Sequence, residues 1–204
     1  ILHAGSYDPY DFVSRTGMRN WAKHVEAGWL NAVDLVFVAT QFHKDLLVIN
    51  SDNFNQDKVF VTGIPYCMNE DKLKYCKPWN ERENIVVFPH RISEEKQPKK
   101  FASLAKKLKK KHPDWKFVYT IEECNGDREK YFELLGKSKV MVSYALQETF
   151  GISTLEAMCM GCYVVVPDRL SYRETVPEQF RYTFDNDVND IVESLMLCET
   201  GPDY

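Results

Sequence analysis

No apolar run in this sequence is long enough to cross a membrane. The apolar runs are strand-sized pieces such as Ile85-Val86-Val87-Phe88, where a spanning helix needs about 20 residues. Glycine and proline are scarce, nine of each, which excludes collagen-like and low-complexity chains. An excess of one charge is missing too. With 26 Lys and Arg against 30 Asp and Glu the net charge is −4, so no field of the whole molecule gathers nucleic acid or anionic lipid, and such a partner has to be held locally. The six cysteines, at positions 67, 76, 124, 159, 162 and 198, do not repeat in spacing and are too sparse for a small disulfide scaffold. They read as reduced thiols, the mark of a cytoplasmic protein. Neither an initiator Met nor a charged leader precedes Ile1-Leu2-His3-Ala4-Gly5. This opening reads as the end of a strand entering a loop, and the chain as an internal piece of a longer one.

What is present is an ordinary globular composition, 204 residues with 44% hydrophobic and 27% charged side chains. Short β-rich runs alternate with amphipathic helical stretches along the whole length, the pattern of an α/β protein with a parallel sheet and crossover helices. Strands are expected near 34–39, 58–62, 84–88, 116–120, 140–143, 162–166 and 181–184, and helices near 19–31, 41–49, 99–111, 128–136, 154–160 and 187–198. In the helix near 99–111, Phe101, Leu104, Ala105 and Leu108 form one apolar stripe. The alternation lapses between Tyr66 and Glu83 into polar, proline-interrupted sequence. The expected domains are therefore residues 1–66, part of a Rossmann-like domain whose other half lies upstream; a linker at 67–83; and a complete Rossmann-like domain at 84–204.

Chemistry concentrates in two places. Glu148-Thr149-Phe150-Gly151-Ile152-Ser153-Thr154-Leu155-Glu156 follows a strand and opens a helix. Gly151 lets the backbone pass close to a ligand, and the amides and dipole of a helix start suit a diphosphate. Glu148 and Glu156 bracket that site about two turns apart, so one can face a sugar ring while the other holds ribose hydroxyls. The second place, Phe88-Pro89-His90-Arg91-Ile92-Ser93-Glu94-Glu95-Lys96, ends the first strand of the C-terminal domain. Ligands of open α/β sheets bind at such strand ends, and Arg91 with Lys96 supplies two cations to one loop, suited to neutralising a leaving diphosphate.

These residues resemble the retaining GT-B glycosyltransferases of family four, whose signature is E-x(7)-E with an Arg-x(4)-Lys pair: Glu148 to Glu156 and Arg91 to Lys96 match it. Within that family, His90-Arg91, Lys96, Pro98, Phe101, Phe150-Gly151, Gly161-Cys162-Tyr163, Arg169-Leu170 and Tyr172 are similar to the branch of the tRNA-queuosine mannosyltransferases. The likeness covers about 84–184 well and 1–50 more loosely. It implies that Arg91 and Lys96 bind the donor diphosphate and stabilise the leaving group, and that Glu156 holds the ribose. It further implies that Glu148, with backbone at Phe150, Gly151 and Ile152, holds the transferred sugar, that His3 lies near the reacting sugar, and that the base rests against Thr120–Glu122, with Ile121 at its centre. The donor it implies is a nucleotide-sugar, a GDP-sugar ahead of a UDP-sugar, used without a catalytic metal. The acceptor it suggests is a hydroxyl on a modified nucleoside of RNA or DNA. The segment between Thr120 and Val140 is short for the family and the upstream acceptor loops are absent, so this piece alone is expected to bind donor weakly and turn over little.

Other features have plainer readings. Cys159 and Cys162 have redox or zinc spacing but no second pair, and read as a helix end packed on the next strand. Asp185-Asn186-Asp187 resembles a metal-binding D-x-D but precedes a helix that needs an N-cap. Trp21, Trp29, Trp79 and Trp115 read as core or boundary packing. Nine lysines against one acid between Lys96 and Lys116 read as a solvated helix face, with contact of Lys106, Lys107, Lys109, Lys110 and Lys111 to a nucleic-acid acceptor as the alternative. Two rival functions stay open: a non-catalytic nucleotide-binding module of the same shape, and a nucleotide-sugar epimerase.

Overall fold

The computed structural model describes residues 5–51, 55–183 and 187–204. In chain order its elements begin with α1 (Phe12–Arg15), α2 (Arg19–Ala32), β1 (Val36–Val38), α3 (Gln41–Asn50), β2 (Val59–Val61), α4 (Glu70–Leu73), β3 (Ile85–Phe88) and α5 (Pro98–Lys111). They continue with β4 (Lys116–Tyr119), α6 (Thr120–Cys124), α7 (Arg128–Lys137), β5 (Val140–Val142), α8 (Ile152–Cys159), β6 (Tyr163–Pro167), α9 (Tyr172–Thr175), β7 (Arg181–Tyr182) and α10 (Val188–Met196). The architecture is α/β with every strand pair parallel. The chain divides into one unit of Ile1–Tyr66, Leu146–Phe150 and Arg169–Thr175 and another of Cys67–Ala145, Gly151–Asp168 and Val176–Tyr204.

In the first unit β1 and β2 pair in parallel with Val36 opposite Val59 and Val38 opposite Val61, over a small core of Tyr7, Leu30, Val36, Val38, Leu47 and Val59. The start of α3 explains why two later segments belong here. Its first amides have no acceptor within the helix. The Glu174 carboxylate accepts from Gln41 N and Phe42 N at 2.8 and 2.7 Å, while the Thr40 hydroxyl, which accepts from His43 N, donates to Thr149 O at 2.9 Å. Trp21 and Trp29 depart from the packing expected of them. They are 58% and 67% exposed, and with exposed Val25 between them they form an i, i+4, i+8 stripe on the solvent side of α2, whose buried contribution comes from Ala22 and Leu30.

The second unit holds a five-stranded sheet of order β4-β3-β5-β6-β7. All four residues of β3 are buried, as a run apolar on both faces requires of a parallel strand covered by helices. From β3 the chain crosses to β4 on one side, then returns to β5 on the other, so the topological switch lies between β3 and β5. Crevices at such points, beyond the carboxyl ends of the strands, are where open α/β sheets bind ligands. Phe101, Leu104 and Leu108 of α5 sit on the sheet with Trp115, Val140, Val165 and Val192, as the apolar stripe requires.

The segment before β3 is fastened by a buried guanidinium. Arg82 donates to the carbonyls of Lys77 (3.0 Å), Ser138 (2.7 Å) and Met160 (2.5 Å). Trp79 donates to Cys198 O at 3.2 Å and meets Tyr163 edge-on. Several extents differ from the sequence reading by about two residues. The helix expected near 154–160 starts at Ile152, because Gly151, at φ 89°, already serves as its N-cap. The last strand is only Arg181–Tyr182, and Phe184 lies outside the described residues.

Candidate functional site

A cavity of about 180 Å³ opens at the carboxyl ends of β3 and β4, lined by residues of three short stretches: 89–91, 120–124 and 126–131. Left-handed backbone at Asn125 and Gly126 (φ 46° and 81°) turns the chain back there. Asp127 then caps α7 by accepting from Glu129 N and Lys130 N, which sets Arg128 and Tyr131 on the cavity wall. Glu156 is 2% exposed, and its carboxylate is gripped from that wall. Arg128 Nη2 donates to Oε1 at 2.5 Å, and the Tyr131 hydroxyl to Oε2 at 2.8 Å. The Arg128 guanidinium also lies 4.8 Å from the Tyr131 ring centre and 4.7 Å from that of Phe132, a cation–π arrangement that fixes its direction.

The loop after β3 forms the opposite wall. His90 is buried, with Nε2 2.9 Å from Ser143 Oγ, so one hydrogen bond ties together the two loops that flank the switch point. Burial pushes the His90 imidazole down to about 3, helped by the charges of Lys96 and Arg91. The ring is neutral at any physiological pH and serves to shape the loop. Arg91, 61% exposed along its side chain, points Nε and Nη2 at Glu95 Oε1, at 2.9 and 2.7 Å, while Ser93 Oγ donates to the same oxygen at 2.6 Å. Burial alone would raise the Glu95 carboxyl, but these hydrogen bonds from Ser93 and Arg91 bring it below its ordinary value. Lys96 is 7% exposed. Arg91 is therefore a cation aimed by a neighbouring carboxylate rather than a freely swinging one.

His90 carries a testable pH dependence. A ring that titrates near 6.5 when unfolded and near 3 when folded contributes stability that is fully present above 6.5 and is lost as the pH falls through that window, by about 1.4 kcal/mol per unit. Urea unfolding at pH 7 and pH 5 should differ by about 2 kcal/mol from this ring, and His90→Gln should remove that difference. The lowered carboxyls of Glu95 and Glu83 act below the interval from pH 7 to pH 5, since their stability is lost as pH falls below the ordinary carboxylate value of 4.5. An unchanged pH slope in the variant would contradict the neutral ring.

The third component follows β5. Gly151 is the left-handed N-cap of α8, and its carbonyl accepts from Thr154 N and Leu155 N at 3.0 and 3.1 Å. The first-turn amides of such a helix point outward with the positive end of its dipole. Thr154, in that turn, is fully buried and its Oγ1 has no hydrogen-bond partner among the described residues. Because β3 and β5 are parallel neighbours, the 89–96 loop and the α8 start leave the same end of the sheet.

The sequence-assigned residues are distributed as follows. Arg91, Lys96, Ile121, Gly151, Ile152 and Glu156 belong to the second unit, with Arg91 and Ile121 lining the cavity; Glu148 and Phe150 belong to the first unit. His3 lies outside the described residues. Sequence reasoning missed Glu95, Ser143, Arg128 and Tyr131. The Arg91–Glu95 pair carried a local i, i+4 signal, whereas the partners of Glu156 lie 28 and 25 residues away with no local pattern. Asp187 caps α10 by accepting from Asn189 N at 2.8 Å. Among the described residues, no three His, Cys, Asp or Glu side chains gather as a metal site, and no helix is long and apolar enough to cross a membrane. The six cysteines are free thiols, and burial pushes Cys162 up to about 12, which makes it inert as a nucleophile.

Residues 124–203 match the family model described as "Glycosyl transferases group 1". The tRNA-queuosine alpha-mannosyltransferase of Drosophila melanogaster is 28% identical over 123 residues, which are 50% of this chain and 33% of that protein. Among solved structures, S. aureus TarM in complex with Fondaparinux, alpha-GlcNAc-glycerol and UDP superposes with a TM-score of 0.68 at 18% identity, over 96% of this chain and 42% of that one. The pneumococcal O-GlcNAc transferase GtfA, in complex with UDP and GlcNAc, gives 0.60 at 12% identity, over 86% and 38%. The chain thus spans a third of the curated relative and less than half of these structures.

Proposed function

From the premise that residues 124–203 form a glycosyl transferases group 1 domain and that the chain has the GT-B fold, we propose that the intact protein is a retaining glycosyltransferase. It moves a sugar from a nucleotide diphosphate sugar, a GDP-sugar first and a UDP-sugar second, onto a hydroxyl of a modified nucleoside in tRNA. The name of the Drosophila relative supports that acceptor class. The single observation that supports the donor site is the cavity at the ends of β3 and β4, with the Glu156 carboxylate held at its wall by Arg128 and Tyr131.

On this reading the base lies against Thr120 and Ile121 and the ribose hydroxyls donate to Glu156, which Arg128 and Tyr131 orient. The diphosphate meets Arg91, Lys96 and the first amides of α8. Breaking the bond between sugar and diphosphate leaves charge on the departing phosphate oxygens, and cations and amides fixed beforehand at that position lower the barrier. The roles of Glu148 and His3 are taken from the sequence pattern, and no role is assigned to a metal.

Titration calorimetry of GDP and UDP against the intact protein tests the site. Glu156→Ala is expected to weaken the tighter nucleotide about tenfold or more, the worth of hydrogen bonds to a charged group. Unchanged affinity in a folded variant would refute the ribose assignment.

A further inference from the structure

We propose that the outward face of α5, the row Lys99, Lys106 and Lys110, is a docking surface for the phosphate backbone of a folded RNA acceptor. The proposal rests on the acceptor class put forward above. Seven of the fourteen residues of α5 are lysine and none is acidic, in a chain whose net charge is −4. At 100° per residue, Phe101, Leu104 and Leu108 fix the buried side, and Lys99, Lys106 and Lys110 fall directly opposite them. These three lysines are exposed. The lysines on the flank toward α10 are compensated there: Lys107 pairs with Asp187 at 3.3 Å and Lys111 with Glu193 at 2.7 Å. No acid among the described residues pairs with the outward three.

This arrangement is unfavourable for the helix by itself. Lys106 and Lys110 repel at i, i+4, and Lys99 with Lys100 stands in the first turn, against the positive end of the dipole. A bound polyanion removes both penalties. The row starts three residues after Lys96 of the donor loop and runs about 16 Å along the helix, so it can hold an acceptor's backbone at a distance from its reacting nucleoside. A membrane surface fits less well. Interfacial helices insert apolar side chains between their cations, and here the exposed positions between the lysines are Ala102 and Ser103, while the large apolar residues face the core.

The test uses the full chain and unfractionated tRNA, with binding read by fluorescence anisotropy from about 50 to about 200 mM salt. Changing Lys99→Gln, Lys106→Gln and Lys110→Gln together is expected to weaken binding about tenfold at 0.1 M salt and to reduce the slope of log K against log salt by about 2. The triple Lys→Arg variant should bind like wild type, which separates charge from folding. Calorimetric affinity for GDP or UDP should be unchanged in both variants. That measurement also keeps the two proposals apart, because loss of nucleotide binding in the wild type would sink the donor site and leave the surface standing. Equal tRNA binding by wild type and the glutamine variant would overturn the surface, as would no tRNA binding by wild type. Binding to equimolar phosphatidylserine and phosphatidylcholine vesicles that disappears in the glutamine variant while tRNA binding persists would overturn it in favour of a membrane.

Discussion

On the donor site proposed above, Arg91→Ala combined with Lys96→Ala is expected to reduce sugar transfer by the intact protein at least about 10³-fold in kcat/KM. Removing one fixed donor from a site of developing negative charge costs about 10²–10³ in rate, and here both cations of one loop are lost. The effect should fall on the chemical step more than on ground-state binding, because the charge on the diphosphate oxygens grows as the bond to the sugar breaks. The geometry also says how the single changes differ. Arg91 is aimed by Glu95 from the surface, whereas Lys96 is nearly enclosed. Arg91→Ala removes two hydrogen bonds that keep Glu95 ionised, so it should raise the titration of that carboxyl and cost some acid stability as well as activity. A double variant that is folded and transfers sugar at the wild-type rate would remove the leaving-group role of this loop.

What could be read in the sequence was local. Ile85–Phe88 is a strand because four β-prone residues in succession suit a two-sided core, and α5 is a helix because its apolar residues recur at helical spacing. Both signals lie within a dozen residues and survive folding unchanged. The strand order β4-β3-β5-β6-β7 had no such signal, since a parallel pair is joined by a crossover and the sequence does not say on which side it lands. The site divides the same way. Arg91 and Lys96 stand in one loop, and Gly151 caps the helix that carries Glu156, so their spacing could be recognised. Arg128 and Tyr131 reach Glu156, and Ser143 reaches His90 over 53 residues, only because α7, α8 and two strand ends converge. Trp21 and Trp29 mark the limit of composition as a guide: large aromatic residues are expected inside, yet theirs is the solvent stripe of α2.

Gly136→Ala is expected to destabilise the second unit by about 2–4 kcal/mol, against the ordinary preference of helices for alanine. Gly136 lies inside α7, where exchanging glycine for alanine usually gains up to about 1 kcal/mol. Its missing side chain is filled by the chain itself. A β-carbon there would lie 2.0 Å from Tyr75 O, 2.6 Å from Tyr75 C and 2.9 Å from Met160 Cε. The backbone at Tyr75 has little room to retreat. Lys77 N donates to Gly136 O at 3.1 Å, Cys76 Sγ to Met160 O at 3.3 Å, and Arg82 binds the carbonyls of Lys77, Ser138 and Met160. A shift large enough to admit a methyl group would strain or break these bonds, leaving buried carbonyls short of donors. Gly28 provides the contrast, because it too lies within a helix, α2, and a β-carbon there meets nothing within 4 Å. Gly28→Ala should therefore stabilise by up to about 1 kcal/mol, the opposite sign for the same exchange. Urea unfolding reads both, by the fluorescence of Trp79 and Trp115 for Gly136→Ala in the second unit and by circular dichroism for Gly28→Ala in the first. A Gly136→Ala variant as stable as wild type would mean that the segment before β3 is not held against α7 as described.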